Sequence, residues 1–115
     1  MAEVRVKRIY EESSPEDGRR VLVDRLWPRG VKKDRIDEWA KDLAPSKDLR
    51  REFHGQDFDF EEFRVRYMVE LEGQEEAMRR LLGSTSGALT LLFGSKNLDR
   101  NNATVLAEAL AGLDS

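Results

Sequence analysis

The chain has 115 residues, of which 39% are hydrophobic and 37% charged, with a formal net charge of −3. This length suits one compact domain spanning residues 1–115, with a real hydrophobic core but no room for two. No apolar run approaches the length of a membrane span, and Arg5, Lys7 and Arg8 interrupt the apolar positions that a signal peptide would need. Cysteine is absent, which excludes disulfides, a thiolate nucleophile and any cysteine-ligated metal or cluster. A cytoplasmic protein is the expectation.

The net charge hides an uneven layout. Between Arg19 and Arg35 lie seven basic residues (Arg19, Arg20, Arg25, Arg29, Lys32, Lys33, Arg35) against Asp24 and Asp34, a local excess of five positive charges. The remainder of the chain is correspondingly acidic, which argues against a general nucleic-acid binder. One region could attract an anion, or it could be a solvated basic loop.

In chain order, Val4, Val6 and Arg8 alternate with Arg5, Lys7 and Ile9, the period of a strand. Residues 11–18, with Ser13-Ser14-Pro15 and Asp17-Gly18, form a loop by composition. A second strand is predicted from about Arg20 to Leu26, apolar on both faces and therefore central. Trp27-Pro28-Arg29-Gly30 then has to leave the sheet, because proline cannot donate to the ladder. Asp34 can cap a short helix with Ile36, Trp39, Ala40 and Leu43 on one face, stopped at Ala44-Pro45. Ser46 can cap a second short helix through Leu49 and Phe53, ended by His54-Gly55. The longest helical pattern starts at Asp57 or Asp59, carries Phe60, Phe63, Tyr67 and Leu71 as a core stripe, and bends or breaks at Gly73. Ala77, Met78, Leu81 and Leu82 continue the stripe. After a small-residue loop from Gly83 to Gly87, residues 88–93 read as a third strand, and Val105, Leu106, Ala109 and Leu110 mark a final helix.

This order implies an α/β fold: a small sheet of three strands or slightly more, at least partly parallel, with helices packed on it. The helical crossover makes strands two and three parallel and right-handed. The first strand's orientation stays open, because its connection is short for a parallel crossover.

Ligands of open parallel sheets sit beyond the carboxyl ends of the strands. There the sequence would gather Asp24, Arg25, Trp27 and Arg29 with Ser95 and Lys96, facing the start of the last helix at Asn101 and Asn102. Arg25 or Arg29 could hold a phosphate or carboxylate, Lys96 would add a point charge, and Trp27 a stacking face. Asp24 could orient an arginine or serve as a weak candidate base. The plainer alternative is that Asp24 and Arg25 lock the strand end while Trp27 packs.

The single histidine, His54, suits a helix-end cap better than catalysis. The glycines match neither a phosphate-binding P-loop nor the dinucleotide fingerprint, and no metal or cofactor is implied. Two functions remain. One is binding of a small anion, phosphate- or carboxylate-bearing with nucleotides among the candidates, by a monomer or homodimer. The other is a non-enzymatic regulatory or interaction module using the basic 29–35 segment, for which no helix-turn-helix pattern supports DNA as partner.

The run Val21-Leu22-Val23-Asp24-Arg25-Leu26-Trp27-Pro28-Arg29-Gly30, preceded by Arg8-Ile9-Tyr10 and Gly18, resembles the YeaO-like bacterial proteins of unknown function. The likeness continues through Trp39 and Lys41, Ala44-Pro45-Ser46, Leu49-Arg50, Phe53-His54-Gly55, Phe63, Tyr67, Glu70-Leu71, Leu89-Thr90-Leu91-Leu92 and Lys96-Asn97. It implies a small α/β domain in which Asp24, Arg25, Trp27, Pro28, Arg29 and Lys96 share a surface, and it supplies no reaction. One departure stands out: the family usually shows Asn-His-Ala where this chain has Asn101-Asn102-Ala103. Asn102 can hydrogen-bond in place of an imidazole but cannot titrate, which weakens proton transfer at that position more than binding.

Overall fold

The computed structural model describes residues 2–53 and 59–114. His54 and Asp57, expected at helix ends, lie outside the described residues. Four strands form one all-parallel sheet: β1 (Ala2–Arg8), β2 (Arg19–Leu22), β3 (Glu38–Trp39) and β4 (Gly87–Phe93), in the order β1-β4-β2-β3. Four helices accompany them: α1 (Lys47–Glu52), α2 (Phe60–Glu72), α3 (Glu75–Gly83) and α4 (Asn102–Asp114). Among the described residues no helix is long and apolar enough to cross a membrane.

The alternation of side chains along each strand divides the sheet into two faces. Val21, Val23, Leu89, Leu91 and Phe93 share one core with Leu49 of α1, Phe63, Tyr67 and Leu71 of α2, Met78 and Leu81 of α3, and Leu106 and Leu110 of α4. The aromatic stripe is thus core, as its spacing predicts. Ile9, Leu22 and Leu92 occupy the other face under Val31, Ile36 and Trp39. That second face is covered by loops rather than helices. It also carries a buried polar cluster, in which the Asp17 carboxylate accepts from Lys7 (3.0 Å), from the Ser14 amide (3.1 Å) and from the Arg20 guanidinium.

The expected parallel pairing of strands two and three is present as β2 against β4, with Leu22 opposite Leu92. The undecided first strand is parallel too, paired with β4 and not with β2. The second strand ends at Leu22 rather than Leu26, although Val23 still donates its amide to Leu92 (3.0 Å). One residue on, the Asp24 carboxylate takes the Gly94 amide, so a side chain replaces the next main-chain partner and the ladder stops.

The helix expected after Asp34 does not form. Lys33–Arg35 and Lys41–Leu43 are single 3₁₀ turns flanking β3. The open edge of β2 competes for this backbone: the Asp37 amide donates to Arg20 (2.8 Å) and the Ala40 amide to Leu22 (2.9 Å). Ile36 and Trp39 consequently pack on the loop-covered face while Ala40 and Leu43 join the helical core. A sequence periodicity that looked like one helical face is split across two sides of a sheet.

Later segments follow their local chemistry. Ser46 caps α1 by accepting from the Leu49 amide (3.1 Å), and its own amide and hydroxyl donate to Glu70 of α2 (2.8 and 2.5 Å). Asp59 caps α2, and Gly73 ends it. Gly18, at φ +64, passes so close to β4 that a Cβ there would lie 2.3 Å from the Ala88 carbonyl oxygen.

Candidate anion site at the strand ends

Beyond the carboxyl ends of β2 and β4 lies a cavity of about 320 Å³, lined by Asp24, Arg25, Leu26, Pro45, Arg50, Phe53, Phe63, Ser95, Arg100, Asn101 and Asn102. Asp24 is its anchor. One carboxylate oxygen accepts the Gly94 amide at 2.8 Å, and the other accepts the Asn102 side-chain amide at 3.0 Å. The same Asn102 amide donates to the Val23 carbonyl at 2.9 Å, fastening the first turn of α4 to the end of β2. Burial pushes the Asp24 carboxyl above its ordinary value, and the bonds from Asn102 and Gly94, with the charge of Arg50, offset that only in part.

The loop between β4 and α4 is held by its own side chains. Asn97 accepts the amides of Asp99 (3.0 Å) and Arg100 (2.9 Å), and Asn101 donates to the Asn97 carbonyl (2.9 Å). Asn101 also caps α4 by accepting the Thr104 amide (2.9 Å). These bonds fix where Arg100 leaves the backbone.

Three arginines, Arg25, Arg50 and Arg100, are among the residues lining the cavity with one acidic residue, Asp24, a formal excess of two positive charges. Among the described residues none of the three forms an ion pair within 4.0 Å or donates a side-chain hydrogen bond. Arg50 interacts with Asp24 only through its charge. This contrasts with Arg19, Arg20, Arg64 and Arg66, each matched to a carboxylate elsewhere in the fold.

Of the residues expected at the site, Asp24, Arg25, Ser95, Asn101 and Asn102 meet at the cavity, whereas Trp27, Arg29 and Lys96 do not line it. Trp27 packs edge-on against Trp39 (ring centroids 5.3 Å apart) and donates to the Val31 carbonyl (2.8 Å). Trp39 in turn donates to the Asp24 carbonyl (2.7 Å), so the tryptophan pair shapes the loop behind the site. Arg29 is exposed, and its carbonyl accepts from the Tyr10 hydroxyl (3.0 Å). Arg50 and Arg100 went unpredicted as site residues. Arg50 had a signal, since it belongs to the run that carries the family resemblance; Arg100 sits among polar loop residues and had none.

Fold and cavity together define an all-parallel α/β protein with an arginine-lined site at its strand ends. The chain belongs to the YeaO-like family described as the inactive DUF488-N3 subclade, DUF488-N3i, whose profile matches residues 3–113. It is 44% identical over 113 residues to "Uncharacterized protein YeaO" of Escherichia coli (strain K12), covering 96% of this chain and 98% of that protein. It is likewise 44% identical over 113 residues to "Uncharacterized protein Rv3073c" of Mycobacterium tuberculosis (strain ATCC 25618 / H37Rv), covering 95% and 94%. No solved structure matches the chain significantly.

Proposed function

We propose that this protein, acting as a single α/β domain in the cytoplasm, binds a small phosphate- or carboxylate-bearing molecule at the carboxyl ends of β2 and β4 without turning it over. The observation that carries the reading is that Arg25, Arg50 and Arg100 line one cavity and, among the described residues, none of them forms an ion pair within 4.0 Å. Arginines at one cavity favour an oxyanion, which a guanidinium can hold bidentately, and Ser95 lines the same cavity. Binding without turnover is supported by the family's description as inactive. It also fits Asp24, whose two oxygens are each engaged, and Asn102, which cannot carry a proton between steps.

The basic 29–35 segment is the weaker candidate for contacting a partner. Arg35, at its end, is spent on the carbonyls of Ile9 (3.0 Å) and Glu11 (2.9 Å), which leaves Arg29, Lys32 and Lys33 as its exposed cations.

The test is a thermal-shift screen of small phosphates and carboxylates at low and high salt, on the natural chain and on Arg50→Glu and Arg100→Glu. A rise in Tm that survives salt and disappears in both variants supports the pocket. A flat screen, or a rise that both variants retain, rejects it.

A further inference from the structure

β1 is an edge strand. Among the described residues it pairs with β4 along all of Ala2–Arg8 and with no other strand, so its far side is open. The Ile9 amide donates to the Phe93 carbonyl of β4 (2.8 Å), and peptide groups point alternately to the two sides of a strand. Ala2, Val4, Val6 and Arg8 therefore direct their amides and carbonyls outward. The Arg8 amide is already taken, since it donates to the Glu11 carboxylate (2.8 Å). Among the described residues the edge is thus blocked at its carboxyl end and unpaired from Ala2 to Val6, and such a row of backbone groups is a template for another strand.

The side chains along this edge select the occupant. Glu3 and Arg5 project from one face of β1, opposite in charge, with side chains 66% and 41% exposed. We propose that two copies of this chain associate through β1, paired antiparallel about a two-fold axis at Val4, which joins their four-stranded sheets into one. In that register Glu3 lies opposite the partner's Arg5, and Arg5 opposite the partner's Glu3, so charge is matched twice. Ala2 exchanges backbone hydrogen bonds with the partner's Val6, and the blocked Arg8 is left outside the pairing. Sliding by two residues sets Arg5 against Arg5 in one direction and Glu3 against Glu3 in the other, and both are destabilising. The helix above the edge does not oppose the contact. α4 packs on β1 as well as β4, and its one charged side chain between Asn102 and Leu113, Glu108, is matched to Arg64 of α2. The association is independent of the anion site, none of whose lining residues belongs to β1.

The experiment is sedimentation equilibrium of the full chain over a concentration series. We expect a dimer that Glu3→Arg weakens about tenfold, because each Arg5 then meets a like charge, and that Glu3→Arg/Arg5→Glu restores by exchanging the partners. Glu3 is exposed, so the reversal leaves the fold intact, which an unchanged circular dichroism spectrum verifies. The chain has no cysteine, so the register can be read by mixing Glu3→Cys with Arg5→Cys under mild oxidation. The two thiols would face each other in a non-hydrogen-bonded pair, with Cα atoms about 4.5 Å apart and within disulfide reach. The mixed disulfide dimer should outnumber those that either variant forms alone. A monomer at every concentration would overturn the proposal. So would a dimer that Glu3→Arg leaves unchanged, or one in which Glu3→Cys alone cross-links as readily as the mixture. None of these results would touch the anion-binding reading.

Discussion

The Asn102 side chain donates to the Asp24 carboxylate at 3.0 Å, across 78 positions of sequence. Through this bond the start of the last helix and the end of β2 become one rigid corner, and the cavity is built on it. Asn102→Ala removes the donor from both Asp24 and the Val23 carbonyl. We expect a loss of about 1–3 kcal/mol, the usual cost of stranding partly buried acceptors, read from urea unfolding midpoints. A change below the precision of those midpoints would mean that water replaces the amide at no cost.

Asp24 makes a prediction about pH. A carboxyl whose folded pKa lies above its unfolded value holds its proton more tightly in the folded state, so ionisation weakens the fold. The cost sets in as pH rises past the ordinary value of 3.8 and is complete above the folded pKa. Titration of the Asp24 carboxyl carbon by NMR should therefore give a midpoint above 3.8, and Asn102→Ala should raise it further. A midpoint at or below 3.8 would show that the hydrogen bonds outweigh burial.

Asp17 behaves in the opposite sense. Burial alone would raise its pKa, but Lys7, the Ser14 amide and Arg20 hold it below 3.8. The stability it confers is present above 3.8 and is lost as pH falls through the folded value. Asp17→Asn leaves the buried Arg20 and the half-buried Lys7 uncompensated, so we expect a loss of about 3–5 kcal/mol at neutral pH. The gap between variant and natural chain should narrow on acidification from pH 7 to pH 2. A constant gap would assign the effect to packing rather than charge.

Two glycines with positive φ should respond differently to alanine. At Gly30 (φ +77) nothing lies within 4 Å of the position a Cβ would take, so Gly30→Ala meets only backbone strain, about 1–2 kcal/mol. Gly18→Ala adds a collision with the Ala88 backbone and should cost on the order of 3 kcal/mol or more. Chemical denaturation of the two variants side by side measures the difference, and equal losses would show that β4 can yield.

Where local chemistry decides, the sequence was readable. Ser46 and Asp59 cap helices, Gly73 ends one, and the apolar run at Leu89–Phe93 is a strand covered on both sides. The strand-end position of Asp24, Ser95, Asn101 and Asn102 followed from the parallel crossover alone. What escaped depended on competition between distant backbones. Nothing local in Ile36–Leu43 announces that an open edge of β2 will take its amides and cut a helical pattern in two. Arg100 escaped for a related reason: in a chain with 20 basic residues, only three-dimensional placement separates it from the paired arginines, whereas Arg50 carried a signal through the family resemblance alone.

The strand order β1-β4-β2-β3 has a consequence for how the chain comes into being. The sheet's middle is supplied late, by residues 87–93, between two strands made much earlier. On the ribosome, Val4, Val6, Val21 and Leu22 must wait, without the neighbour that will shield them, while three helices are synthesised. Closing those long loops is slow relative to local helix formation, which favours a late and concerted collapse over strand-by-strand assembly. A nascent chain halted before Gly87 would hold both outer pieces of the sheet and no centre, a natural client for a chaperone.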